Sequence, residues 1–586
     1  MSAALSRTAL WRRGERLWQT IRHVPPGQLL RRAELLARYR LMDLLPSQAA
    51  AAPPALAPVL PQPLFPPRSD RLRAVPGGFR LLLPWGERAF SLPVAWTPAT
   101  DAATARADAN NLHFMEFLPS ADDTLLTALI DDWIARNPLQ TRGAWRFAWR
   151  PYNLSLRVVV WMEELARRQD RLDPSFLGRA QASLAQQLRF LERHLETDLR
   201  GNHLIKNIRA LLWAGVFFVG PEAGRWSALG RRLLRRELAE QVLPDGCQYE
   251  RSPAYQCQVL EDLLACRAVL PDAAPELDAA LARLVHALRL LTHPDGRVAQ
   301  FNDGGLSMAL PPGHLLEAWT RLTGGQPASA LGAFALPDGG YFGLKGEDEL
   351  LVVDCGDLGP SYLPGHGHCD LLALEWSTGG RRIVVDQGTY QYFADPRRLA
   401  SRSTSSHNTV SLDGAEQSDI YGAFRCGRRA RPELRAFEPH GHGFRFVGSH
   451  DGFTRLPDQP RHVRTIEAAP GRLVIRDRIE GGGAHDARAR LLLHPGCTVE
   501  VAGREALIRS GPVAVRLAAS APIAVEPAEW YPDIYVAEPT LRLVLPVAPG
   551  EQGLELRLER VDAARGRPML AEATMPDPVL AGEQHR

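Results

Sequence analysis

A chain of 586 residues is too long for one hydrophobic core, so two or more large domains are expected. With 45% hydrophobic residues, 23% charged residues and a net charge of +3, the composition is that of an ordinary globular protein. No Lys/Arg stripe interleaved with aromatics occurs, which argues against nucleic acid as a partner, and the seven scattered cysteines form neither a disulfide pattern nor a CxxC pair.

In chain order, residues 1–70 form a basic segment followed by a connection. The opening "MSAALSRTALWRRGERLWQTIRHVPPGQLLRRAELLARYR" lacks the continuous apolar stretch of a secretory signal. It reads as one or two basic amphipathic helices packed on the body, with a membrane-surface role as the alternative. A cytoplasmic location is the default expectation, with periplasmic or membrane-peripheral placement as alternatives. No stretch has the length and purity of a transmembrane helix. Residues 46–70 are Pro/Ala-rich and predict an extended connection. A first large domain is expected over 71–325. It opens with a small hairpin in "GGFRLLLPWGERAFSLPVAW" and becomes helical from about residue 120. Seven segments, from "DDTLLTALIDDWIARN" to "PELDAALARLVHALRLLTH", carry apolar residues at helical spacing and predict antiparallel helical hairpins in a ring or bundle. Over 335–586 the period switches to two. Short runs such as "DELLVVDCG", "RLVIRDRIE" and "TLRLVLPV" between Gly/Asp/Pro turns predict an antiparallel β-sandwich.

Residues 364–390, "PGHGHCDLLALEWSTGGRRIVVDQGTY", suggest a metal site. Strands at 371–376 and 383–385 joined by a Gly379-Gly380 hairpin turn would carry His366 and His368 on one face, with Asp386 returning towards it. His407, at the mouth of the strand Thr409 to Leu412, is the third candidate. Two imidazoles and a carboxylate are a familiar zinc set. Cys369, one residue after His368, should face away. In the helical half, Asn202 and His203 stand at a helix start in "GNHLIKNIRALLWAGVFF", where an Asn N-cap beside a solvated His is the plain structural reading. Ser252-Pro253 is a good N-cap and N1 pair, placing Tyr255 in a first turn where the helix dipole would lower a phenol's pKa. Glu250 stands just before it.

Four stretches in succession resemble the heparinase II/III-like polysaccharide lyases: "NHLIKNIRALLWAGVFF", "DGCQYERSPAYQ", "GHGHCDLLALEWSTGGRRIVVDQGTYQY" and "SRSTSSHNTVSLDG". The resemblance runs over about residues 120–480. It implies an (α/α) toroid followed by an antiparallel β-sandwich, and β-elimination of a uronic-acid polymer in the cleft between them. It assigns Asn202 and His203 to the neighbourhood of the uronate carboxylate. Tyr255 becomes base and then acid, and His366 the histidine supplied by the β-domain. His368, Asp386 and His407 become ligands of one structural divalent ion, expected to be zinc. Glu250 and Arg402 fall inside the motifs as substrate contacts or as supports behind the reacting residues, and Asn302 beside them as a substrate contact or part of a turn. Asp303, next to Asn302 in "QFNDGG", reads as a turn or as cleft lining.

An acidic polysaccharide, glycosaminoglycan-like or a bacterial exopolysaccharide, is the expected partner. A non-catalytic glycan-binding or exopolysaccharide-biosynthesis protein on the same fold is the alternative. Retention of a phenol at Tyr255 argues against it, because binding alone needs no such group. A hydrolase would need a pair of carboxylates across the cleft, and Glu250 and Asp303 are isolated in the sequence.

Overall fold

The structure, a computed structural model, describes residues 7–44, 51–67, 71–98, 100, 102–270 and 275–561. Parts of the Pro/Ala-rich connection, 46–50 and 68–70, lie outside the described residues. The rest of it runs along the helical domain, where Ala57 N donates to Phe217 O and Gln181 to Pro54 O. No helix among the described residues is long and apolar enough to cross a membrane.

The helical domain follows the apolar periodicity. Helices span Asp123–Arg136, Pro151–Arg168, Pro174–Arg193, Gly201–Phe217, Pro221–Gln241, Pro253–Ala268 and Pro275–Leu290. Several start where chemistry demands it: Asp122, Asp173 and Ser252 accept hydrogen bonds from first-turn amides, and prolines fill first positions whose N–H needs no partner. Their apolar faces meet in one core containing Trp133, Trp161, Leu188, Leu211, Leu263 and Leu281. Ala103–Phe114 and Pro312–Thr323 add helices that the sequence pattern did not single out. The expected hairpin gains a third strand, Leu72–Val75, against Gly78–Leu83 and Gly86–Ser91.

The last helix of the first domain ends at Thr323, and the first strand of the second domain is Gly332–Leu336. Among the described residues that domain holds four antiparallel sheets, the smallest being the two-stranded pair 420–421 and 425–426. Five strands (332–336, 341–345, 350–354, 374–378, 381–384) pair in chain order. An eight-stranded sheet runs in the spatial order 432–440, 443–450, 461–469, 472–480, 550–561, 513–519, 505–510, 498–502. Four strands (524–530, 538–546, 487–492, 410–412) complete the fold. Leu374, Trp376, Ile466, Ile475, Leu491 and Leu543 share the core between them. This is a helical toroid followed by an antiparallel sandwich.

One local expectation fails. The first strand of the Gly379-Gly380 hairpin starts at Leu374, so His366 and His368 are not strand residues. Residues Pro364–His366 form a single 3-10 turn, and Leu372 adopts a left-handed φ of 64° that breaks extended geometry before the strand. The histidines therefore share a neighbourhood through a loop, not through a pleat.

The domains lock at their junction. Tyr362 reaches from the sandwich to donate to Glu240 at 2.5 Å, with Arg200 stacked 5.5 Å from its ring. Leu306 N donates to Pro532 O at 2.8 Å, and Trp85 meets Tyr535 edge-on with ring centres 5.1 Å apart.

A buried pair holds the sandwich beneath the histidine segment. Arg464 donates twice to Asp477, at 2.7 and 2.8 Å, and also to the carbonyls of Leu372 and Asn408, both at 2.6 Å. Burial opposes ionisation of Asp477, but Arg464 and His462 outweigh it and hold its carboxyl below the usual range. The depressed folded value means that this stabilisation is complete above about pH 4 and is lost only as acidification passes below it. Arg464→Leu removes the guanidinium and leaves the buried carboxylate with His462 as its remaining side-chain partner, which should cost about 3–5 kcal/mol at neutral pH. Urea unfolding checks this, and the deficit should shrink as the medium is acidified below the carboxylate range.

Candidate active site and metal cluster

The helix Gly201–Phe217 brings the first residues to the junction. Its N-cap is Arg200 at φ 62°, pinned by salt bridges to Glu237 and Glu240, so Asn202 is inside the first turn and is not the cap. Orphan amides there are satisfied from outside the helix. Tyr249 OH accepts from Gly201 N at 2.9 Å, and Glu250 Oε1 accepts from Asn202 N at 3.0 Å. The Asn202 amide side chain donates to Gln258 Oε1 at 3.4 Å. His203 bonds Glu196 through Nδ1 at 2.9 Å and lies against Tyr152, ring centres 4.4 Å apart, with its side chain 22% exposed.

Tyr255 occupies the first turn of the helix Pro253–Ala268, with its N–H donated to Ser252 Oγ. Its hydroxyl donates to Tyr392 OH at 3.2 Å, and its ring centre lies 4.3 Å from that of His366. Burial, reinforced by Tyr392 and Asp303, pushes the phenol well above its ordinary value. The expected lowering by the helix dipole is overturned, and Tyr255 is a neutral phenol at physiological pH.

Asp303 organises the sandwich side. Fully buried, it accepts from His366 Nδ1 at 2.9 Å, His368 Nε2 at 2.8 Å and Arg398 at 2.7 Å, with Arg398 also bonded to its other oxygen. Burial disfavours the charge, but Arg398 and the two histidines hold the carboxyl well below its usual range. An ionised Asp303 accepts only, so each histidine donates its N–H there and turns the other nitrogen outward. For His366 the outward nitrogen is Nε2, 3.5 Å from Glu250 Oε2, longer than a hydrogen bond. Glu250 thus caps the Asn202 helix with one oxygen and flanks His366 with the other.

For His368 the outward nitrogen is Nδ1, which is buried and has no hydrogen-bond partner among the described residues. His407 repeats the arrangement in mirror form: Nδ1 bonds Asp386 Oδ2 at 2.7 Å, and the buried Nε2 is left without a partner. His368, Asp370 and His407 offer ligand atoms all within 4.8 Å of one another. Burial, with neighbouring carboxylates, pushes Asp354 and Asp370 above the usual range, an environment that a divalent cation would relieve. Two orphaned imidazole nitrogens and a strained carboxylate fit a metal ion. In this geometry Asp386, expected as a ligand, is bonded to His407 Nδ1, and Asp370 offers a further carboxylate to the cluster. Carboxylate–histidine–metal relays have this form.

Two expected substrate contacts are architectural. Arg402 is fully buried and donates to the backbone carbonyls of Pro364, Gly367, Ala423 and Arg425, holding the histidine segment in place. Asn302, at φ 61°, accepts from His368 N at 2.9 Å and donates its backbone N–H to Asp370 at 3.1 Å. Neither side chain is open to a ligand. Sequence reasoning missed Arg398, one helical turn before Arg402 in "PRRLASR", and Tyr392 in "GTYQYF". It also missed Asp370, although the alternation His366, His368, Asp370 was a usable signal.

A helical toroid and a sandwich meeting over a Tyr–His pair, with a buried His/Asp cluster behind it, define the class. Residues 124–308 match the heparinase II/III N-terminus and residues 328–559 the heparinase II/III-like C-terminal domain, so the chain belongs to the heparinase II/III-like family. A heparin-sulfate lyase of Pedobacter heparinus is 27% identical over 314 residues, 48% of this chain and 47% of that protein. One from Bacteroides stercoris is 26% identical over 340 residues, 48% of each. The chain spans about half the length of the curated relatives it matches. A crystal structure of heparinase III superposes with a TM-score of 0.67 at 16% identity, over 80% of this chain and 79% of that one, which shows the shared fold.

The roles of the two aspartates separate on substitution. His368→Ala or Asp370→Asn should abolish stoichiometric metal in chelator-washed protein measured by elemental analysis. Asp386→Asn should retain the ion with affinity lowered by about 10–100-fold, as loss of an orienting carboxylate does elsewhere. Equal loss in the Asp386 and Asp370 variants would make Asp386 a direct ligand.

Proposed function

We propose that this chain is a polysaccharide lyase that cleaves a uronic-acid-containing acidic polysaccharide by β-elimination. The observation that carries the reading is the pairing of a neutral buried phenol, Tyr255, with the His366 imidazole, whose Nδ1 is committed to Asp303. One group is set up to donate a proton and the other to accept one. His366 Nε2 takes the C5 proton, electrons from the C5–H bond form the C4–C5 double bond, and the C4–O4 bond breaks as Tyr255 protonates O4. The side-chain amide of Asn202 supports charge developing on the uronate carboxylate, in the manner of an oxyanion donor. His203, oriented by Glu196, is the partly exposed neighbour on the same wall. Tyr255 acting as both base and acid is the variant for substrates presenting the opposite C5 epimer.

The substrate class is supported by the heparin-sulfate lyases among the relatives, which favour a glycosaminoglycan-like chain over a bacterial exopolysaccharide. The resident ion of the His368–Asp370–His407 cluster is zinc on its donor types. It would hold the segment that presents His366, a structural duty two residues from the reacting group.

Ultraviolet absorbance of a conjugated product, measured over a panel of uronate polysaccharides, tests the reaction class. Tyr255→Phe removes one hydroxyl from an intact fold and should lower turnover by roughly 10²–10⁴. Asn202→Ala should cost about 10²–10³. Carboxyl-reduced polymer should give no signal, because C5 then lacks its acidifying group. Saturated products, or a fully active Tyr255→Phe variant, would end the lyase reading.

A further inference from the structure

The amino-terminal helices are joined to both domains, yet they present the wrong chemistry to water. The helix Arg7–Ile21 docks on the sandwich through one stripe: Arg16 pairs with Asp419 at 2.7 Å, and Thr20 bonds the Tyr421 hydroxyl and Cys426 O. At 100° per residue, Trp18 lies on the side opposite Arg16 and shares its stripe with Arg22. Leu17, Trp18 and Ile21 are exposed, Trp18 by 63%.

The helix Pro26–Met42 docks on the toroid. Gln28 and Leu35 are buried, Arg31 donates to the carbonyls of Arg193 and Leu195, Arg32 pairs with Asp198, and Tyr39 stacks between Trp145 and His194. A helix packed on a protein by one face ordinarily turns polar residues outward. Here Leu29, Leu30, Leu36 and Leu41 are exposed beside Arg32, Glu34 and Arg40, with Leu44 just beyond the helix and the exposures of Leu30 and Leu44 reaching 72% and 77%. Over half of the large hydrophobics exposed among the described residues fall on these two helices and Leu44.

The charge beside this apolar surface is also uneven. Residues 1–44 hold nine arginines against Glu15, Glu34 and Asp43, a net +6 in a chain whose whole net charge is +3. A second copy meeting this face would bring two such basic patches together, which disfavours self-association. An anionic surface meets both the leucines and the arginines.

We propose that the segment 7–44 is a membrane-docking element. It lies in the interfacial plane of an anionic phospholipid bilayer, with Trp18 and the outward leucines among the acyl chains and the exposed Arg22 and Arg40 at the headgroups. It tethers the folded enzyme without crossing the bilayer, consistent with the absence of a membrane-spanning helix among the described residues. The cleft residues play no part in this attachment.

Co-sedimentation of the full chain with phosphatidylcholine vesicles, with and without phosphatidylglycerol, reads the proposal. The protein should partition onto the phosphatidylglycerol vesicles and leave them as sodium chloride is raised. A Leu30→Ser/Leu41→Ser/Leu44→Ser variant should lose at least roughly tenfold in partitioning, with its circular dichroism unchanged. A measurement on protein with the leucines intact guards against a folding artefact: bromine-labelled acyl chains should quench the wild type, and Trp18→Phe should remove that quenching. Failure of the wild type to sediment with anionic vesicles overturns the proposal. So does undiminished partitioning of the leucine variant, or a dimer in light scattering that the same substitutions dissolve.

Discussion

The ion pair between Asp303 and Arg398 is the interaction on which the junction depends. Taking a carboxylate and a guanidinium out of water costs several kcal/mol per ion unless geometry and further hydrogen bonds compensate. Arg398 binds both carboxylate oxygens, and His366, His368 and Thr389 supply the remaining donors. Asp303 comes from the rim loop of the toroid, whereas its partners come from the histidine segment, the residues after the hairpin and the short helix Pro396–Arg402 of the sandwich. Docking of the two domains and orientation of the two histidines are therefore one event. Neither domain alone could satisfy these charges.

Carboxylates also settle which nitrogen of each imidazole does what. Asp303 takes the N–H of His366 and of His368 from opposite ring positions, so the two rings present Nε2 and Nδ1 respectively. Asp386 does the same for His407. Asp386 and Asp370 both follow His368 within a segment that folds back on itself, and folding gives them different partners: Asp386 bonds His407 Nδ1, and Asp370 accepts from the Asn302 backbone. Glu250 serves both domains at once, capping the helix that carries Asn202 and lying beside His366.

Magnitudes explain why the phenol behaves contrary to expectation. A helix N-terminus is worth about 0.3–1 kcal/mol to a nearby charge, less than one pKa unit. Full burial of an ionisable group moves its pKa by up to about 3–5 units in the direction of the neutral form. Tyr255 is buried beside a second tyrosine and an ionised aspartate, so desolvation wins and like-signed neighbours add to it. A neutral phenol therefore lies against an imidazole whose Nδ1 is held by an aspartate.

The order of the domains was legible in the sequence because it rests on local periodicity. Helical spacing from Asp123 to Leu290 and alternation from Leu350 onward each reflect which face of an element must be buried, and that pattern is written residue by residue. Ser252-Pro253 as a helix start was legible for the same reason. The motif histidines, Tyr255 and Asn202 stood out because they fall in recognisable stretches, and folding brings Tyr255 against His366. What only the tertiary structure decided were the partners. Asp303 sits 63 residues before His366 and 95 before Arg398, and nothing local marks it as the acceptor for both. Arg402 and Asn302 looked like ligand contacts because they are polar and lie near the motifs. Packing instead turned Arg402 onto backbone carbonyls and Asn302 onto the histidine segment's backbone. Polar side chains take their roles from the donors and acceptors that folding brings within three ångströms, and a linear sequence does not encode that distance.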